Sequence, residues 1–301
     1  MSEDTKLVAQ AFKFFYTGHY EAAIKTFSEL TIRDSTNADW KYWHASALLA
    51  TNKFDEAKRI VSDLIDAQDG QGLVHGIIGS ARISRLELQL ALEVYLKNKK
   101  PIPLDQLSEL RKEFSDIKES IDTTLDKKGK ICIPDFYNEY GMILGLEACI
   151  ELYAETTPAI ENLSIERKSE KLFGQAVEKY HNALQIDSAY VPAIHNQGML
   201  YFDWALQLPE NERKEKLEKA LLFFEESLSK NKDYVESLFD KGIILCHLRR
   251  YTESKEPFIR AASLNKKCVT RYVRGLGKTV LKTIGIDNEV KPIIAPIITK
   301  I

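Results

Sequence analysis

Cysteine is scarce in this 301-residue chain: only Cys132, Cys149, Cys246 and Cys268 occur. No two form a C-x-x-C pair, and none of the six histidines joins them in a ligand-like cluster. The spacings of structural zinc sites and dithiol redox motifs are therefore missing, and the thiols read as small core or surface groups in a reducing, cytoplasmic setting. An excess of one charge is also lacking. The formal net charge is -2, which gives bulk electrostatics no reason to favour nucleic acid or an anionic membrane as partner. No apolar run reaches the roughly 20 residues needed to cross a bilayer. The amino-terminal stretch MSEDTKLVAQAFKFFY starts acidic and turns amphipathic without a cleavage-like site, unlike a signal peptide. Glycine and proline, at 14 and 9 residues, are too few for a disordered chain, and 44% apolar residues supply ample core.

Catalytic patterns are absent as well. There is no H-E-x-x-H and no G-x-S-x-G elbow. Gly275-Leu276-Gly277-Lys278-Thr279 ends like a phosphate-binding loop, but Tyr272 stands where the motif needs its first glycine, and the surroundings are amphipathic helix rather than strand and loop. No catalytic residue, metal site or cofactor is expected, and the chain is read as a non-enzyme.

What is present is a period. Ala23, Ala57 and Ala91 are 34 residues apart, as are Phe27, Val61 and Tyr95, and Ala11, Ala45 and Gly79 keep the same step. Three columns agreeing at one spacing indicate stacked copies of one unit. Thr17-Gly18-His19 and Thr51-Asn52-Lys53 mark the turns inside the first two copies, whereas no Gly or Asn interrupts Ser84-Arg85-Leu86. The third copy is therefore expected to run almost continuously. The second half repeats the pattern in stretched form. Gly141, Gly198 and Gly242 align on first helices, and Ala176, Ala220 and Ser254 on second helices, with Tyr180, Phe224 and Phe258 four residues further on. This small–large alternation lets paired helices approach closely and interlock.

The pattern resembles the tetratricopeptide repeat (TPR), whose 34-residue helical hairpins stack as a solenoid. The resemblance implies an all-α, right-handed α-α superhelix of about six hairpins. The expected organisation is an array of three hairpins over 4–103, an inserted amphipathic helix and linker over 104–133, and three hairpins with insertions over 134–266. A capping helix follows over 267–284 and an extended Ile/Pro-containing tail over 285–301. Leu107, Leu110, Phe114, Ile117, Ile121 and Leu125 draw one apolar stripe on the inserted helix. Residues from Lys266 onward hold six Lys and two Arg against Asp287 and Glu289, a net +6 beside a body of -8.

In TPR proteins the first helices line a concave surface that receives peptides or helices. Carried onto this register, the resemblance implies a groove of Asn138, Met142, His195, Asn196, Met199, Phe202, Phe239, Asp240 and Ile243. Such a face suits an apolar segment of a partner protein, one that could also carry basic residues. The stations at which chaperone-binding members hold a terminal carboxylate carry Asp135, Glu139, Asn196, Glu236 and Asp240 here, so a carboxylate clamp is not expected. The leading expectation is a protein-binding adaptor or scaffold. The alternatives are a structural subunit joined through the 104–125 helix and the tail, and an enzyme or nucleotide-responsive regulator.

Overall fold

The computed structural model describes residues 3–67, 70–98, 102–129, 131–155 and 168–283. Among them the protein is all-α, with twelve helices. The order begins with α1 (Glu3–Tyr16) and α2 (Tyr20–Arg33), and a hairpin then pairs α3 (Ala38–Leu49) with α4 (Phe54–Asp66). Two single helices follow, α5 (Gly70–Asn98) and α6 (Leu104–Lys128). Three hairpins complete the order: α7 (Pro134–Glu155) with α8 (Lys168–Ile186), α9 (Val191–Gln207) with α10 (Glu210–Lys230), and α11 (Val235–His247) with α12 (Tyr251–Thr283). The architecture is a TPR-like array of hairpins with extra helices.

The turns repeat at atomic detail. Gly18, Asn52 and Arg249 all adopt positive φ, and the next amide in each case reaches back five residues: His19 to Phe14, Lys53 to Leu48 and Arg250 to Leu245. This is the Schellman closure, which satisfies carbonyls left open at a helix end. Between hairpins a second device recurs. Asp34, Asp187 and Asn231 each accept, through the side chain, the amide two residues on, so α3, α9 and α11 start from the same loop geometry. The third copy, lacking turn residues, is one unbroken helix, α5. The predicted boundary at 266/267 also falls inside a helix: α12 has no Gly or Pro from Phe258 to Val269 to stop it. The Thr156-Thr157-Pro158 break and the 285–301 tail lie outside the described residues.

The chain divides into two compact units. One is continuous, Ile24–Ala193; the other is split, made from Met1–Ala23 and Ile194–Ile301. In the continuous unit Ala45, Leu48, Leu49, Ala57, Val61 and Ile83 form one buried cluster. The stripe of α6 is covered within that unit, with Leu107, Phe114 and Ile121 buried. Arg111 pairs with Glu151 at 2.6 Å and Lys118 with Glu147 at 2.6 Å, tying α6 to α7. In the split unit the glycine columns do their expected work. A Cβ on Gly198 would meet the Phe224 ring at 2.9 Å and one on Gly242 the Phe258 ring at 2.6 Å, so only glycine permits these hairpins to close so tightly. The two segments of this unit are joined by Asn265 Nδ2 donating to the Thr17 carbonyl at 2.8 Å, and by an edge-to-face contact of Tyr16 with Tyr234.

Candidate functional site

The nine residues assigned to a groove are divided between the units. Asn138 and Met142 lie on α7 in the continuous unit; the other seven lie on α9 and α11 in the split unit. Within α9 and α11 the side chains sort by depth. Phe202 packs edge-on to His247, and Phe239 packs on Phe258 with ring centroids 5.5 Å apart. Ile243 is buried beside them. His195 is enclosed by Phe224 and Tyr234 and shares a 3.0 Å hydrogen bond with Ser237. These four form the floor. Asn196, Met199 and Asp240 stand partly exposed above it.

Two further partly exposed carboxylates complete this strip. Asp203 lies four residues past Met199 and seven past Asn196, hence on the same helix face, and that spacing could have flagged it from sequence. Glu236, four residues before Asp240, accepts hydrogen bonds from Tyr20 at 2.7 Å and Tyr234 at 2.6 Å. Of the three acids, Asp240 feels the other two. Asp240 is pushed well above the ordinary carboxyl range by burial, then by the charges of Glu236 and Asp203. Burial alone lifts Asp203 to about 7. His195 is lowered to about 4 by burial, against the opposing pull of Glu236, so the imidazole 3.7 Å from Asp240 is neutral near pH 7.

A pH test follows from Asp203. Its folded value, about 7, lies above the usual 3.8, so its contribution to stability is present below pH ~3.8 and lost as pH rises through about 7. The urea midpoint of wild type relative to Asp203→Asn should therefore fall between pH 4 and 8. A difference that stays flat over that range would refute the raised value. His195 changes in the opposite sense, losing its contribution as pH falls from 6.5 towards 4, but it is common to both proteins and cancels.

In the continuous unit the corresponding stations are already occupied. Glu139 accepts from Arg82 Nε at 2.9 Å and from Arg85, and Asp135 accepts from Tyr42, Tyr190 and, at 3.3 Å, Arg82. Asn138 is buried and bonds Asp135. Burial acts to raise Glu139, but Arg85 and Arg82 outweigh it and hold the carboxyl below its usual range. Burial lifts Asp135 to about 7. Neither arginine was expected at these stations, since they lie 53 to 57 residues from their acids in sequence. A cleft of about 620 Å³ is lined by residues of α6, α7 and α8, where Tyr140 donates to Asp122 and Lys179 lies over the Tyr140 ring.

Among the described residues no group of three or more His, Cys, Asp or Glu is arranged to hold a metal ion. No described helix is long and apolar enough to cross a membrane. Gly275–Thr279 lies within α12, so the fragment forms no loop.

Residues 15–80 match the family model described as "Tetratricopeptide repeat". Similar solved structures include YrrB, described as a TPR protein with an unusual peptide-binding site, at 10% identity over 82% of this chain and 97% of that one, with a TM-score of 0.37. TTC0263, a thermophilic TPR protein from Thermus thermophilus, is 12% identical over 90% and 98% of the two chains, with a TM-score of 0.37. The TPR2AB domain of yeast Sti1, in a pHSP90 complex, is 13% identical over 93% and 96%, with a TM-score of 0.31. No curated protein matches the chain.

Proposed function

We propose that this chain, an all-α repeat array whose residues 15–80 match the tetratricopeptide repeat model, is a non-enzymatic adaptor whose split unit holds a segment of a partner protein. The docking surface is the strip of Asn196, Met199, Asp203, Glu236 and Asp240. The observation that carries this reading is their shared position: they are partly exposed residues on the first helices of two consecutive hairpins, above a floor of buried side chains. That floor fixes the backbone beneath them, so a partner meets a preformed surface. Met199 supplies adaptable apolar contact, and Asn196 an amide able to orient a peptide backbone. The acids suit a segment with basic side chains, and a partner's terminal carboxylate would meet repulsion.

Met199→Glu tests the reading without disturbing the floor. The variant should fold like wild type by circular dichroism and recover cross-linked partners at about one-tenth the wild-type level, the scale of a single strong interface contact. An unchanged partner set would sink the docking proposal.

A further inference from the structure

Asp135 and Glu139 stand six and two residues before Gly141, and Glu236 and Asp240 stand six and two before Gly242. The register is physical as well as numerical. A Cβ on Gly141 would meet the Tyr180 ring at 2.8 Å, as one on Gly242 would meet Phe258 at 2.6 Å, so both glycines seat their helix against an aromatic ring of the hairpin partner. The first acid of each pair accepts from two tyrosines, and Asp135 has in addition a 3.3 Å contact with Arg82. Tyr42 and Tyr190 donate to Asp135, and Tyr20 and Tyr234 donate to Glu236.

The copies part at the second acid. Glu139 is gripped by the guanidinium groups of Arg82 and Arg85, and Arg82 also lies over the Tyr42 ring, 5.4 Å from its centroid. Asp240 lies 3.7 Å from a neutral imidazole, His195 of the neighbouring α9, and Asp203 stands two helical turns further along that same helix. Among the described residues no lysine or arginine pairs with Asp240 or Asp203. One protein thus carries the same acidic station twice, filled by arginine in one copy and, among the described residues, by no cation in the other.

We propose that Asp240 and Asp203 form a guanidinium site, taking an arginine side chain of a partner protein where Glu139 takes arginines of its own chain. This rests on the docking reading above and names the side chain that the strip selects. A planar guanidinium presents several N–H donors in a rigid fork and can bridge two carboxylates at once, whereas an ammonium is a compact point charge that satisfies them less well. Its flat face and stem also have apolar surface to lie on, from Met199 one helical turn before Asp203.

The test uses the full chain with three blocked amino acids: N-acetyl-arginine methylamide, its lysine counterpart, and its citrulline counterpart, which keeps the shape and removes the charge. Carbon-detected NMR of the aspartate carboxyls reads the response. The arginine probe should shift the Asp203 and Asp240 signals at concentrations about tenfold below those the lysine probe needs. Citrulline should leave them unmoved, and Asp240→Asn should abolish the Asp203 response. Equal potency of arginine and lysine, or no response to either in the wild-type chain, would overturn the arginine assignment while leaving the docking strip intact. Partner capture indifferent to Met199→Glu would remove the strip itself, whatever the probes show. Should Asp240→Asn fold poorly, the wild-type comparison of the three probes still decides.

Discussion

Replacing Glu139 with alanine is expected to destabilise the continuous unit by about 3–5 kcal/mol, the cost of breaking a buried ion pair from one side. Glu139 is 1% exposed and neutralises two arginines. Without it Arg82 keeps a 3.3 Å contact with Asp135 and a 2.7 Å bond to Ser46, but Arg85, itself buried, keeps only a 3.2 Å bond to Gln89. In a unit of this size the loss should lower the melting temperature by about 10 °C. Glu139→Gln should recover little, because the shape returns without the charge. Replacing Arg85 and Glu139 together with Met and Leu should recover much more, since removing both partners leaves no charge stranded. Differential scanning calorimetry distinguishes these outcomes. A Glu139→Ala protein as stable as wild type would mean that the network adds nothing to stability.

The second large effect is expected at Phe258, which is 0% exposed and packs edge-on to Phe239. Phe258→Ala should cost about 3–5 kcal/mol in the split unit, combining lost transfer energy with the cavity left behind. Gly242→Ala should cost about 1–3 kcal/mol by overpacking, because the new methyl would sit 2.6 Å from a ring with nowhere to move. The two changes occupy the same space, so the double mutant should be less damaged than the sum of the singles. Urea denaturation of all four proteins completes the cycle. Strict additivity would show that Gly242 is required for something other than room for the ring.

Much of the architecture was legible in the residues. The alanine and glycine columns of the first helices fixed the hairpin register, and the lack of Gly or Asn around Ser84-Arg85-Leu86 foretold a single helix α5. The apolar stripe of α6 was also visible, and Leu107, Phe114 and Ile121 are its buried members. The strip was only half legible, for a physical reason. Most of α11 is buried, including Phe239, Gly242, Ile243 and Leu245, because it packs against both α10 and α12. A helix covered on two sides has apolar residues over most of its circumference, so periodicity cannot separate its packed faces from its accessible one. Phe239 and Ile243 read as groove from spacing and stand in the floor. The arginines at Glu139 escaped notice for a different reason: helical spacing reports neighbours within one helix, and these pairs join α5 to α7.

The bond from Asn265 to the Thr17 carbonyl spans 248 residues. During synthesis at roughly 5–20 residues per second, the amino-terminal segment would wait about 10–50 s for that partner to be made. Over that interval Tyr16 and Tyr20 lack the residues they later touch, Tyr234 and Glu236. The continuous unit can be complete on the ribosome while the first segment of the split unit is still waiting. A chain ending before residue 234 would lack these contacts of Tyr16 and Tyr20, although their own segment had been made in full.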